Sequence, residues 1–217
     1  MKIPESWTFE DDGVAAGFDA HVKEQLPWYD VVSSGIVALA TDYIPKRGGV
    51  VYDVGCSTGN ISARLSKIAT DRSCEIIGVE ESPQMAAAWN GHGTLITSDC
   101  CEVDFKPFDV AVLHLVLMFI EPRKRKPLIG KMWAKCKPGG CMIVVDKQLP
   151  DQGNMAVLFK RLTWALKVSD GRDLAGVVEK EMSLRGIQRP VSSSEFPISP
   201  VKWFQMGEFA GWLLEKP

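Results

Sequence analysis

The segment from Gly49 to Asn60 constrains the fold of this chain more than any other. Gly49-Val50-Val51-Tyr52-Asp53-Val54-Gly55 is a short apolar run that closes on glycine, the pattern of a fully buried parallel strand entering a tight turn. The loop Asp53-Val54-Gly55-Cys56-Ser57-Thr58-Gly59-Asn60 then leads into a helical pattern from Ile61 to Ala69. Glycine lets a backbone pass close to a ligand, and the first turn of the following helix is electropositive. The loop is therefore expected to bind a cofactor.

The spacing of this loop narrows the choice of cofactor. It reads Gly-x-x-x-Gly, with Asp53 two residues before the first glycine and Ser57 where the dinucleotide fingerprint requires glycine. A pyrophosphate favours an all-backbone cradle. Asp53 instead suits a ligand that carries an ammonium group, which points away from NAD and toward S-adenosylmethionine (SAM).

The rest of the chain repeats the strand-then-helix order. A helix over Asp30 to Tyr43 leads in, and a second buried run, Cys74 to Val79, ends at Glu80 and the turn Glu81-Ser82-Pro83. A helix from Gln84 to Trp89, a short strand from Thr94 to Thr97, an apolar strand from Phe108 to Leu117 and a helix from the Pro122–Pro127 segment to about Lys135 follow. Lys137-Pro138-Gly139-Gly140 reads as a turn before a fifth strand, Cys141 to Val145. After Pro150 come a mostly helical stretch, Met155 to Leu184, a polar loop, Gln188 to Pro200, and a hairpin of Val201–Gln205 and Phe209–Leu214.

This order predicts an α/β, Rossmann-like fold: a mostly parallel seven-stranded sheet with a C-terminal antiparallel hairpin and helices on both faces. One domain is expected over 1–217, with a helical cap at 1–48, a cofactor-binding core at 49–146, a helical lid at 147–200 and the hairpin at 201–217.

Three further positions follow from the fold. Glu80, at the end of the second strand, is placed to accept both ribose hydroxyl hydrogens. Asp99, past the third strand, is placed either to accept from an adenine amino group or to cap a helix. His114 falls in the fourth strand at the crevice where open sheets bind ligands, and is either a direct participant or a satisfied core residue. The run Pro122-Arg123-Lys124-Arg125-Lys126-Pro127 reads as a solvated helix face.

Composition excludes several classes. Twenty-five basic against 27 acidic residues give a net charge of −2, which disfavours direct nucleic-acid binding by the molecule as a whole. The longest apolar run, Val110 to Ile120, is too short to span a bilayer, and the first residues lack the pattern of a signal peptide. A cytoplasmic protein with no membrane role is expected. The six cysteines form no Cys-x-x-Cys pair, so they read as reduced thiols and no residue is assigned to a metal.

Several segments together resemble the class I SAM-dependent methyltransferases, and within them the carboxy-S-adenosylmethionine synthase family of tRNA wobble-uridine modification. They are Phe18-Asp19-Ala20-His21-Val22, Pro27-Trp28-Tyr29, Tyr52 to Ser57, Glu80-Glu81-Ser82-Pro83-Gln84-Met85, Lys137-Pro138-Gly139-Gly140 and Trp203-Phe204-Gln205. The resemblance implies that Tyr29 folds over the SAM site and that Asp99 and Cys100 contact the adenine. The expected cofactor-binding set is Tyr29, Asp53, Gly55, Cys56, Ser57, Gly59, Glu80, Glu81, Asp99, Cys100 and His114, with His114 and Tyr29 as the catalytic candidates.

The chain departs from that family in three places. Glu80-Glu81 stands for the usual Asp-Asn, His114 for an asparagine, and the segment before the hairpin is shortened, with no arginine between Ser192 and Pro200. In the family that segment supplies an arginine to the carboxylate of the modified cofactor; here Arg185 and Arg189 are the candidates to replace it. The expected function is methyl transfer from SAM to a small-molecule or RNA-linked acceptor. The Asn/Asp-Pro-Pro-aromatic loop of base-amino methyltransferases is replaced by Leu117-Met118-Phe119-Ile120. Carboxy-SAM synthesis from SAM and prephenate is the first alternative and SAM binding without turnover the second. A homodimer is compatible with the sequence.

Overall fold

The computed structural model describes residues 12–217. Two helices, α1 (Asp12–Gln25) and α2 (Tyr29–Tyr43), precede the sheet. Tyr29, Val32, Ser33, Ile36 and Ala40 of α2 are buried, a helical stripe that faces one side of the sheet.

The first half of the sheet comes from β1 (Val50–Val54), β2 (Glu75–Glu80) and β3 (Thr94–Thr97). Between β1 and β2 lie α3 (Asn60–Arg64) and α4 (Ser66–Arg72), and α5 (Pro83–Ala87) connects β2 to β3. The second half begins with β4 (Phe108–His114), α6 (Pro122–Lys135) and β5 (Cys136–Lys147). Helices α7 (Gly153–Ser169) and α8 (Leu174–Ser183) then precede the hairpin of β6 (Val201–Met206) and β7 (Phe209–Glu215).

The strand order is β3-β2-β1-β4-β5-β7-β6, with β1 to β5 parallel and β7 antiparallel to β5 and to β6. Seven strands, five parallel and a terminal antiparallel hairpin, are the layout expected from the sequence. The chain winds outward from β1 to β3 and returns on the other side through β4, so the switch point lies between β1 and β4. In such sheets the crevice beyond the carboxyl ends of these strands receives ligands.

Period-two alternation divides the buried strand residues between two cores. Tyr52, Val54, Ala111, Leu113, Met142 and Val144 pack with Leu128, Ile129 and Met132 of α6. Val51, Val110, Val112, Ile143 and Val145 pack with Val32, Ile36 and Ala40 of α2 and with Ile61 and Leu65. The helices therefore cover both faces.

Three boundaries and the reading of the basic run differ from the sequence reading, each for a physical reason. The helix expected over Ile61–Ala69 is two short helices hinged at the buried Leu65, with backbone bonds from Leu65 N to Ile61 O and from Ala69 N to Leu65 O carrying the axis across the bend. The strand expected to reach Leu117 stops at His114. There Leu115 takes φ +63°, and buried Asp146 of β5 accepts from Val116 N at 3.1 Å and Met118 N at 3.3 Å, pulling the chain into a 3₁₀ turn over Leu117–Phe119.

The turn expected at Lys137–Gly140 lies inside β5 as an irregularity in its pairing with β4. A Cβ on Gly140 would stand 2.5 Å from Asp109 O, so the two backbones approach too closely for a side chain. The basic run is not wholly a solvated face either. Arg125 is 1% exposed and donates to the carbonyls of Ile120, Arg189 and Pro190 and to Glu195 Oε1. Among the described residues no helix is long and apolar enough to cross a membrane.

Candidate functional site

The site begins where β1 ends. Gly55 has φ +64°, and a Cβ there would lie 2.6 Å from Val116 Cγ2, so glycine alone lets the loop pass under the turn after β4. Ser57 N donates to Glu80 Oε2 at 2.8 Å and Ser82 N donates to Oε1 at 2.9 Å. Glu80 thus ties the glycine loop to the loop after β2. Burial raises its pKa, against the pull of these amide donors.

Asp53 is 2% exposed, and its Oδ2 accepts from Ser62 N in α3 at 3.0 Å. Burial outweighs that bond and pushes its pKa up to about 7. At the end of β3, Asp99 Oδ1 accepts from Cys101 N at 2.8 Å, and Lys124 Nζ lies 3.7 Å from Oδ2. Three carboxylates therefore stand at the carboxyl ends of three neighbouring strands.

At the end of β4, the strand paired with β1, His114 stacks on Tyr29, with ring centroids 4.8 Å apart and planes inclined by 12°. His114 Nε2 is inaccessible and makes no hydrogen bond among the described residues. Burial, with the positive charge of Arg64, lowers its pKa to about 3. Burial likewise moves the Tyr29 phenol above its usual range, and the hydroxyl accepts from Asn60 Nδ2 at 3.3 Å. At neutral pH the pair is an uncharged aromatic wall.

These groups share one cavity of about 480 Å³, within the range of small-molecule sites. Tyr29, Asp53, Gly55, Cys56, Ser57, Glu80, Glu81, Asp99, Cys100 and His114 all line it. Gly59 does not: it begins α3 at φ +95°, where a Cβ would meet Gly91 N at 2.5 Å, so its place is set by packing. Neither Arg185 nor Arg189 lines the cavity. Arg189 lends only its backbone to the structure around Arg125 and Met118.

Sequence reasoning missed the far wall, where Lys147, Lys167, Lys180, Glu181 and Glu208 meet under α7 and α8. These residues lie in four separate segments, and no local pattern joins them. It also missed Asn60, the bridge from Tyr29 Oη to Ser33 Oγ. The ligand atoms of Asp99, Cys100 and Cys101 lie within 4.8 Å of one another, but burial raises both thiol pKa values and so disfavours the thiolates a metal would need.

Residues 51–140 match a family described as a methyltransferase domain. A carboxy-S-adenosyl-L-methionine synthase of Pectobacterium atrosepticum is 28% identical over 228 residues, covering 97% of this chain and 91% of its own. One of Wolinella succinogenes is 26% identical over 192 residues, covering 85% and 80%. Among solved structures, human N-acetylserotonin methyltransferase in complex with SAM superposes with a TM-score of 0.61 at 15% identity, over 96% of this chain and 57% of that one. The fold is that of the class I methyltransferases.

Proposed function

We propose that this chain, which carries a methyltransferase domain over residues 51–140, is a SAM-dependent transferase that moves the SAM methyl group to a small-molecule acceptor held in the same cavity. The observation that carries this reading is the convergence of Asp53, Glu80 and Asp99 on one cavity at the switch point of the sheet.

The donor set fits SAM. Asp53 offers a carboxylate to an ammonium group, Glu80 keeps lone pairs for two ribose hydroxyls, and Asp99 and Cys100 flank the position for an adenine. When bound, SAM supplies an electrophilic methyl group on a sulfonium. The protein's own part is then position and exclusion of water. The stacked Tyr29 and His114 line the cavity, and His114 Nε2, buried without a partner among the described residues, is available to hydrogen-bond an acceptor. With a pKa of about 3, His114 serves as a positioning group rather than as a base at neutral pH.

Carboxy-SAM synthesis is the second reading. It is favoured by the names of relatives that align over most of the chain and by cations on the cavity wall, lysines here rather than Arg185 or Arg189.

The test is mass spectrometry of the nucleosides formed from SAM with and without prephenate, beside calorimetric binding of SAM and S-adenosylhomocysteine (SAH). A product heavier by a carboxyl group, formed only with prephenate, selects the second reading. SAM binding without that product directs the search to methyl acceptors, and absence of SAM and SAH binding overturns both.

A further inference from the structure

The cavity also holds a second group of charged residues, which the methyl-transfer reading above does not use. Lys147 leaves the carboxyl end of β5, Lys160 and Lys167 come from α7, and Lys180 comes from α8. They meet Glu181 of α8 and Glu208 of the β6–β7 turn. Lys147 Nζ lies 3.2 Å from Glu181 Oε1 and 3.9 Å from Glu208 Oε1. Lys160 Nζ lies 3.1 Å from Glu208 Oε1 and also pairs with Glu181. Each carboxylate is therefore already shared between two ammonium groups.

Lys167 stands in the same wall with a weaker partner. Its Nζ donates to the neutral amide of Gln25 Oε1 at 3.5 Å, and no carboxylate lies within ion-pairing distance of it among the described residues. A partly desolvated ammonium without a counter-ion is costly. Burial lowers its pKa, against Glu181, while Lys147 and Arg172 add to the lowering. The same cavity is lined by apolar side chains such as Leu26, Met118 and Phe209, which pack as one cluster with Tyr29. It thus offers lysines and an apolar surface as well as the three carboxylates.

We propose that Lys167, flanked by Lys147 and Lys180, binds the anionic group, a carboxylate or a phosphate, of a second substrate with an apolar body. This rests on the reading of the three carboxylates as the SAM site. An anion at Lys167 supplies the counter-charge that the wall lacks, and a low-dielectric rim strengthens the attraction. The acceptor would then lie between the lid and the Tyr29–His114 wall.

The test uses the full chain saturated with SAH and titrated calorimetrically with benzoate, phenyl phosphate and the neutral benzamide. One of the two anions is expected to bind at least about tenfold more tightly than benzamide, and the preferred one tells carboxylate from phosphate. Lys167→Met should weaken that anion about tenfold while leaving SAH and benzamide affinities within about twofold, and Lys167→Arg should restore most of the loss. If SAH binds but the three probes bind alike or not at all, or if Lys167→Met leaves anion affinity unchanged, this inference is wrong and the SAM reading stands. If SAH itself does not bind, the SAM reading falls first.

Discussion

At the scale of single residues, Asp53 carries the sharpest consequence. Its carboxyl is fully buried with a pKa of about 7, well above the ordinary carboxylate value, so in the free protein it is half protonated at neutral pH. An ammonium ligand needs the ionised form. SAM affinity should therefore rise with pH between about 5 and 7, by up to about tenfold per unit, and level off above; calorimetry across that range checks it, and a flat profile removes Asp53 from the ammonium site. The same shift makes Asp53 a burden on the free fold. Because its folded pKa lies above its unfolded one, its stabilising contribution is full below about pH 4 and is lost as pH rises to about 7. Asp53→Asn should raise the melting temperature of the free protein at pH 8, on the order of 5 °C, while weakening SAM binding roughly tenfold to a hundredfold. Arg125 is the opposite case, a charged side chain on which structure depends. Arg125→Met removes the donor to three carbonyls and the cation beside Glu195, whose Oε1 keeps only the bond from Ser192 N, an expected loss of about 3 kcal/mol. Arg125→Lys should not recover it, since one ammonium cannot match the spread of the guanidinium; thermal melts of both variants decide.

At the scale of elements, helices α7 and α8 meet the sheet through charge as well as apolar packing. Glu208 in the hairpin turn pairs with Lys160 of α7, its backbone N donates to Thr163 Oγ1 at 3.2 Å, and Glu181 of α8 reaches Lys147 of β5. Much of the outer surface of these helices stays apolar and exposed, at Val157, Leu158, Leu162, Leu174 and Met182. The helices are thus held on their inner side by a small ionic cluster. Glu208→Gln should speed hydrogen exchange across residues 153–183 several-fold while leaving β1, β4 and β5 unchanged. Equal acceleration in the sheet would show that the cluster supports the whole fold instead. The hairpin turn itself is fixed by packing: Gly207 has φ +54°, and a Cβ there would lie 2.3 Å from Thr163 Oγ1.

At the scale of the whole molecule, the cavity joins both halves of the sheet, α1 and α2, and helices α7 and α8. Thr58 of the glycine loop donates to Asp19 of α1 at 2.6 Å, and Asn60 reaches Tyr29 and Ser33 of α2. A ligand that fills such a site binds the folded state alone. SAH at about 100 times its dissociation constant should add about 2.7 kcal/mol, or roughly 5–10 °C in melting temperature for a chain of this length; scanning calorimetry measures it, and an unchanged melting temperature would mean that SAH does not bind the native protein. The charge of −2 says little about such a site, because it sums over the whole chain while acidic and basic side chains both line the one cavity.

The sequence by itself determined the order of strands and helices, the glycine loop, and the places of Asp53, Glu80 and Asp99 at the ends of their strands. Period-two burial and a glycine followed by a helix are local patterns, and each acidic residue sits at a fixed offset from the end of its own strand. What lay beyond local pattern was decided by the tertiary structure. His114 was a catalytic candidate from its place at the crevice of the sheet, but stacking on Tyr29 and burial leave it neutral. Arg125 looked solvated until loops 64 and 65 residues farther along supplied carbonyls to bury it. Arg185 and Arg189 looked like the cations of the site, yet Lys147, Lys167 and Lys180 reach the cavity instead. Burial, pKa and the meeting of distant side chains depend on how elements pack, and packing brings together residues that no spacing along the chain relates.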